Sequence, residues 1–158
     1  MNSKNHFNRL AVALALALTA GGAYAQAVEQ TPGGGVRGGD GSTAEGNCVA
    51  LGQNVTAGTT PGESDCVGIG QNVTVAGGAT AIGSNVNNQA GGAVAIGQDI
   101  SIVGGSVVGT TAIGHNLNAN SGIVIGAFSR VQGSAVTAAD AAVALGNFTT
   151  VNGAGTVG

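Results

Sequence analysis

The sequence is poor in the residues that build an ordinary enzyme core. Phe, Trp and Tyr together make 3% of it, with no Trp, and charged residues make 7%. Two prolines and a hydrophobic share of 43% exclude a Pro-rich or highly charged disordered chain. Basic residues are almost as scarce. Lys4 and Arg9 stand at the very start, and beyond them only Arg37 and Arg130 remain, with no lysine at all. The part after residue 25 holds two basic and seven acidic side chains, a net charge of −5. A nucleic-acid partner needs a basic surface for counterion release, and none can be built here. A polybasic lipid-binding patch is excluded by the same count. What is abundant is glycine, 31 of 158 residues, without the every-third-residue period of collagen. The composition points to a thin structure of small and β-branched residues.

Residues 1–25 read as a secretory signal. A positive start is followed by the apolar run Leu10 to Leu18 and by Ala23-Tyr24-Ala25, an A-x-A cleavage site that leaves Gln26 as the first mature residue. The run is too short to span a bilayer comfortably. Residues 26–46 read as a Gly-rich flexible leader. Within it, Gly33-Gly-Gly35-Val-Arg-Gly38 matches G-x-G-x-x-G, but the nucleotide-binding form needs a strand before it and a helix after it, and glycine-rich sequence produces such matches by chance.

From residue 47 a short unit recurs. Its instances are Cys48-Val-Ala-Leu-Gly52, Cys66-Val-Gly-Ile-Gly70, Ala79-Thr-Ala-Ile-Gly83, Ala93-Val-Ala-Ile-Gly97, Thr110-Thr-Ala-Ile-Gly114, Gly122-Ile-Val-Ile-Gly126 and Ala142-Val-Ala-Leu-Gly146. Each glycine is followed by a second motif, such as Gln53-Asn-Val55, Gln71-Asn-Val73, Ser84-Asn-Val86 or Gln98-Asp-Ile100, and then by a loop of variable length. Periodic units of this kind stack. The expected fold is all-β, about seven stacked coils of a single-stranded parallel β-roll, with Gly52, Gly70, Gly83, Gly97, Gly114, Gly126 and Gly146 as a column of turns.

Strand alternation sends the first and third residues of each tripeptide to one side and the middle residue to the other. The expectation is that Leu51, Ile69, Ile82, Ile96, Ile113, Ile125 and Leu145 form the core column and that the Ala side faces outward. Two buried aliphatics per coil contribute about 3–6 kcal/mol, whereas ordering about 14 residues costs roughly 14–28 kcal/mol of backbone entropy. Both sides of the first strand are apolar or small, and a strand buried on both faces needs a covering surface. Self-association through the Ala face is the simplest source of one.

Cys48 and Cys66 occupy equivalent places on adjacent coils, about 4.8 Å apart, inside the Cα range for a disulfide. Export permits oxidation. An intrachain bridge is expected, with free thiols or bridges between subunits as the alternatives. The Asn-x-Thr triplets at Asn54, Asn72 and Asn147 are accounted for by the repeat, and stacked amides there can form ladders. His115 is expected to be a solvated turn residue without an acidic neighbour in the repeat register, and Asp99 and Asp140 to be loop or turn carboxylates. No catalytic constellation, cofactor or metal site is expected: cation sites need several oxygen ligands, and neither G-x-S-x-G nor H-E-x-x-H occurs.

Asn47-Cys-Val-Ala-Leu-Gly52 resembles the N-S-V-A-I-G unit of the YadA-like heads of trimeric autotransporter adhesins; Gly92 to Gly97, Gly109 to Gly114 and Ala141 to Gly146 resemble it more loosely. The similarity covers about residues 47–152, and the head would occupy 47–158. It implies a left-handed parallel β-roll, three of which pack side by side as a homotrimer. It also implies display on the surface of, or secretion by, a Gram-negative-type bacterium, and attachment to extracellular matrix proteins, cells or abiotic surfaces. The repeat itself is tied to collagen binding in that family, which maps onto Asn47 to Gly52, Gly92 to Gly97 and Ala141 to Gly146. The sequence shows no heptad stalk and no barrel strands with aromatic girdles, so no self-contained membrane anchor is expected. The expected ligand face lies on the second strands, at Asn72, Asn85, Asp99, Asn116 and Phe128. Alternatives are a structural matrix protein or an ice- or surface-binding solenoid, which would want an unbroken Thr array where Asn87, Ser101 and Asn118 intervene, and an acyltransferase of the hexapeptide-repeat type, which the irregular spacing disfavours.

Overall fold

The computed structural model describes residues 28–103, 109–132 and 143–152. The described chain is all β, with strands β1 (Val28–Gln30), β2 (Val36–Gly38), β3 (Thr43–Ala44), β4 (Val49–Ala57), β5 (Val67–Val75), β6 (Thr80–Asn88), β7 (Val94–Ile102), β8 (Thr111–Ala119), β9 (Ile123–Ala127), β10 (Arg130–Gln132), β11 (Val143–Asn147) and β12 (Thr150–Asn152). From β2 onward every pairing is parallel, and the result is a parallel β-solenoid of about six turns. Residues 1–25 lie outside the described residues, as does Asp140.

The repeat glycines are in strict register: Gly52 pairs with Gly70, Gly70 with Gly83, Gly83 with Gly97, Gly97 with Gly114, Gly114 with Gly126, and Gly126 with Gly146. The column of seven repeat glycines is extended at its N-terminal end by Gly39, which lies under Gly52, and the solenoid has about six turns where seven coils were expected. The corner has a steric cause. At Gly97 the backbone has φ +140°, and a Cβ there would run into the carbonyl oxygen of Gly114 on the next rung. The same overlap recurs from Gly52 to Gly126, so the coils stack at backbone distance only because this column has no side chains.

The nine-residue strands β4 to β8 are each two short strands joined at this corner. The residue two places after the glycine has φ of 53° or 54° at Asn54, Asn72, Asn85, Asp99 and Asn116, a left-handed conformation that Asn and Asp tolerate. The burial pattern repeats rung by rung. Ala50, Ala81, Ala95, Ala112 and Ala144 from the first half are fully buried, and Gly68 stands in the same column. They face Val55, Val73, Val86, Ile100 and Leu117 from the second half, also buried.

This reverses the expected faces. The column Leu51, Ile69, Ile82, Ile96, Ile113, Ile125, Leu145 points outward: Ile69, Ile96 and Ile113 are each 37% exposed and Leu145 is 55% exposed. The reason is the thinness of the roll. The bulky inward residues come from the second half of most rungs, leaving room opposite for a methyl or a hydrogen on every first half but one, where Val124 fills the place. A Cβ on Gly68 would already lie 2.8 Å from a Val55 methyl. Residues of Ile size on that side would overpack the interior.

The Gly-rich segment is not a leader apart from the roll. Residues 28–46 form the N-terminal end of the solenoid: β2 and β3 stack in parallel on β4, and β1 folds back antiparallel over β2 through a turn closed by the Thr31 N–H on the Gly35 carbonyl at 2.8 Å. Its glycines serve close approach. Cβ atoms on Gly35 and Gly39 would collide with the backbone of the adjoining rung. The Arg37 guanidinium donates to Glu29 Oε2 at 2.6 and 3.0 Å across β1 and β2. The G-x-G-x-x-G match lies in this hairpin, with no helix after it.

Cys48 and Cys66 are joined as a disulfide between successive rungs, with Cα atoms 4.6 Å apart and both residues buried. Asn88 is the one fully buried asparagine among the described residues; its amide donates to the Thr80 and Ala93 carbonyls at 3.0 and 3.1 Å.

Candidate functional site: the corner ladder and the outward strip

Stacking turns a single left-handed residue into a ridge along the solenoid. Asn54 Nδ2 donates to Asn72 Oδ1 at 3.3 Å, Asn72 Nδ2 to Asn85 Oδ1 at 3.2 Å, and Asn85 Nδ2 to Asp99 Oδ1 at 3.0 Å. Beside it, Gln71 Nε2 donates to Gln53 Oε1 at 2.9 Å. The amides satisfy one another along the axis and keep their remaining donors and acceptors toward solvent. The expected face residues Asn72, Asn85, Asp99, Asn116 and Phe128 therefore do share one column, and the ladder anticipated at the Asn-x-Thr triplets exists for Asn54 and Asn72.

Further along the ridge its chemistry changes. His115 Nε2 lies 3.6 Å from Asp99 Oδ2, so the histidine does have an acidic neighbour, one rung back and one residue over. The alignment of like positions in the repeat missed it because the partners are diagonal. His115 packs edge-on against Phe128 with ring centroids 5.2 Å apart, and Phe128 stacks on Phe148 at 5.1 Å with an interplanar angle of 6°. Phe128 and Phe148 take the corner places that Asn and Asp fill on the earlier rungs, with φ of 53° and 58°. For an aromatic side chain that conformation is strained, by about 1–3 kcal/mol each. Phe148 is the ring partner that sequence reading passed over; its signal was the repeated Phe two residues after Gly126 and Gly146.

On the adjacent side lies the outward half of the first strands. Val49 and Leu51, Val67 and Ile69, Val94 and Ile96, Ile123 and Ile125, and Val143 and Leu145 form two parallel columns, with Thr80 and Thr111 interrupting the first. None of these residues is buried. The opposite sheet presents the outward column Thr56, Thr74, Asn87, Ser101, Asn118, Arg130, Thr150, which is polar throughout. The roll is thus apolar on one side and polar on the other, with the amide ridge at the corner between them.

Charge is concentrated in the early loops. Glu63 folds back on its own turn, where burial nudges its carboxyl upward but hydrogen bonds from the Thr59 and Thr60 backbone N–H groups outweigh this and hold it below the usual value. Asn47 Nδ2 donates to Asp65 Oδ1 at 2.6 Å, and the Asp65 N–H donates to Asn47 Oδ1 at 2.9 Å. Among the described residues there is no group of three or more His, Cys, Asp or Glu side chains able to hold a metal ion. The clefts at the N-terminal end are open hollows lined by Glu29, Arg37, Asp40 and Thr43, and by Pro32, Glu45 and neighbouring glycines. No family model, curated protein or solved structure matches this chain.

Proposed function

We propose that this chain is the non-catalytic head of a surface-displayed or secreted bacterial adhesin, a left-handed β-roll of the YadA-like kind that works as a homotrimer. One observation carries the reading: an outward apolar strip, with one column of Ile and Leu unbroken from Leu51 to Leu145 and a second broken by Thr80 and Thr111, runs along the roll beside a polar, self-bonded ridge. Contiguous apolar surface of this extent marks an interaction site. The strip suits contact between copies, a change from the Ala face expected from alternation. Its residues are β-branched or Leu on a flat parallel sheet, able to interdigitate with the same pattern on another copy.

The ridge residues Asn72, Asn85, Asp99 and Asn116, with the polar second-strand column, then remain on the outside of the assembly. They repeat at about 4.8 Å, and a matrix protein, cell or abiotic surface would be held by many weak contacts of this kind at once, with avidity in place of a deep pocket. The outward Thr column of an ice-binding solenoid is interrupted by Asn87, Ser101, Asn118 and Arg130, which favours the adhesin over that alternative.

Light scattering on the mature chain, residues 26–158, tests the assembly. The expected mass is three times that of the chain. A folded protein that stays monomeric at high micromolar concentration sinks the reading. Retention on surfaces coated with matrix proteins, lost on Asn72→Ala together with Asn85→Ala while the mass is kept, tests the ligand face.

A further inference from the structure

Strand β1 departs from the pattern of the rest of the roll. From β2 onward each rung lies parallel on the next, whereas β1 runs antiparallel along β2, with Val28 opposite Gly38, Glu29 opposite Arg37 and Gln30 opposite Val36. All three β1 residues are exposed, so the strand adds almost nothing to the interior. Arg37 is a second departure. It stands in register with Ala50, at the foot of the inward column that holds only Ala, Gly or Val on the rungs above. Alternation turns its side chain to that inward side, and the opposed Glu29 with it. Among the described residues no rung lies below, so the ion pair is 47% and 55% exposed although it faces inward. Open hollows flank the guanidinium, and each is lined by both Arg37 and Thr43 of β3, across the mouth of the roll. A charged pair thus lies over the end of an apolar interior.

We propose that β1 and the Glu29–Arg37 pair form a built-in cap, an autoinhibitory contact that keeps the N-terminal mouth of the roll from closing on the mouth of a second copy. Direction is the first argument. A copy related by a twofold axis across the end of the roll presents its β2 antiparallel to this one. That is the direction β1 already takes, so β1 occupies the place the second β2 would fill. What lies beneath is the second argument. Without β1, the edge of β2 offers unpaired N–H and C=O groups, a ready template for another strand. Behind it stand Ala50 and Val55, now fully buried, at the end of the interior. Charge is the third. Two β2 strands centred on each other set Arg37 against Arg37, so the residue that attracts Glu29 within the chain repels its own copy. The cap is also lightly held: three residue pairs, an exposed ion pair of small worth, and a turn tied to the Gly46 carbonyl by the Thr31 hydroxyl at 3.4 Å. It concerns the end of the roll, whereas the assembly above concerns its side, so the two readings stand or fall separately.

The test places one proline at either of two neighbouring positions in the mature chain. The Thr31 N–H bonds the Gly35 carbonyl, and bonded pairs alternate along an antiparallel ladder, so Glu29 and Arg37 form a bonded pair while Gln30 turns its N–H to solvent. Glu29→Pro therefore removes a ladder bond and the carboxylate together, whereas Gln30→Pro removes nothing the ladder uses. Both leave β2 on β4, and both should keep the wild-type far-UV spectrum. In sedimentation equilibrium at matched concentration, Glu29→Pro combined with Arg37→Thr should reach twice the wild-type mass, whatever that mass is. Gln30→Pro should stay at the wild-type mass. Glu29→Pro alone, with Arg37 still facing its copy, should double only when salt screens the repulsion. A wild-type mass for the combined variant overturns the proposal, and so does doubling by Gln30→Pro. Assemblies longer than a pair would show that another edge is joining, and overturn it as well.

Discussion

Replacing Gly97 by Ala should be among the most damaging single-methyl changes in this protein. The φ of +140° is unfavourable for any L side chain, which costs on the order of 1–3 kcal/mol. The new methyl also collides with the Gly114 carbonyl, backbone that cannot swing aside without lifting one rung off the next. Losing two or three inter-rung hydrogen bonds adds about 1 kcal/mol each, so the expected loss is roughly 3–6 kcal/mol. Gly146→Ala is the internal control. It has the same kind of backbone, φ +120°, but the new Cβ would meet only Thr149 Oγ1 at 3.5 Å. It should show the cost of the backbone conformation alone, about 1–3 kcal/mol. Urea unfolding followed by far-UV circular dichroism, at one fixed protein concentration so that assembly contributes equally, measures both. Equal losses at the two sites, or a Gly97→Ala loss below about 1 kcal/mol, would refute the close-stacking account of the glycine column.

Three further outcomes are expected. Ala95→Leu, inside the roll, should destabilise by about 1–3 kcal/mol through overpacking, whereas Ile96→Asp, one residue on, should leave a folded chain that no longer assembles; the opposite pattern in melting and light scattering would return the isoleucines to the interior. Reducing the Cys48–Cys66 bond, which spans 18 residues, should lower stability by about 3 kcal/mol, and a melting curve unchanged by reductant would contradict this. The folded pKa of Glu63 lies below its ordinary value, so the stabilisation it gives the Thr59–Glu63 turn is fully present above that ordinary value and is lost as pH falls through the lower folded one. Amide exchange at Thr59 and Thr60 should therefore accelerate in acid, and Glu63→Gln should abolish that pH dependence.

Much of the architecture could be read directly from residue order. The recurring Ile-Gly or Leu-Gly pair located the corners from Gly52 to Gly146, though not the first one at Gly39, because a column of glycines is the only way to bring backbones this close. Equivalent places in that register also paired Cys48 with Cys66. Alternation was a weaker guide. It separated Ile96 from Ala95 but could not say which lay inside, since both are apolar; the deciding information was the size of Ile100 across the roll, a contact between residues on opposite sheets. Glycines at 35 and 39 suggested a supple linker when they in fact permit tight packing, and the two uses of glycine look alike in a string of letters. Diagonal partners such as Asp99 and His115 were invisible for a related reason, because a repeat aligns each position with its own kind.

Asn88 gives the stack a bookmark. Successive rungs are so alike that a chain could thread itself one level too high or too low, and most columns would hardly notice the exchange of one aliphatic for another. The buried amide would notice: a slip puts it in the berth of Val75 or Ile102, away from the two carbonyls it needs. Together with the sulfur link near the start and the paired rings near the end, it numbers the storeys of a building whose floors are otherwise nearly identical.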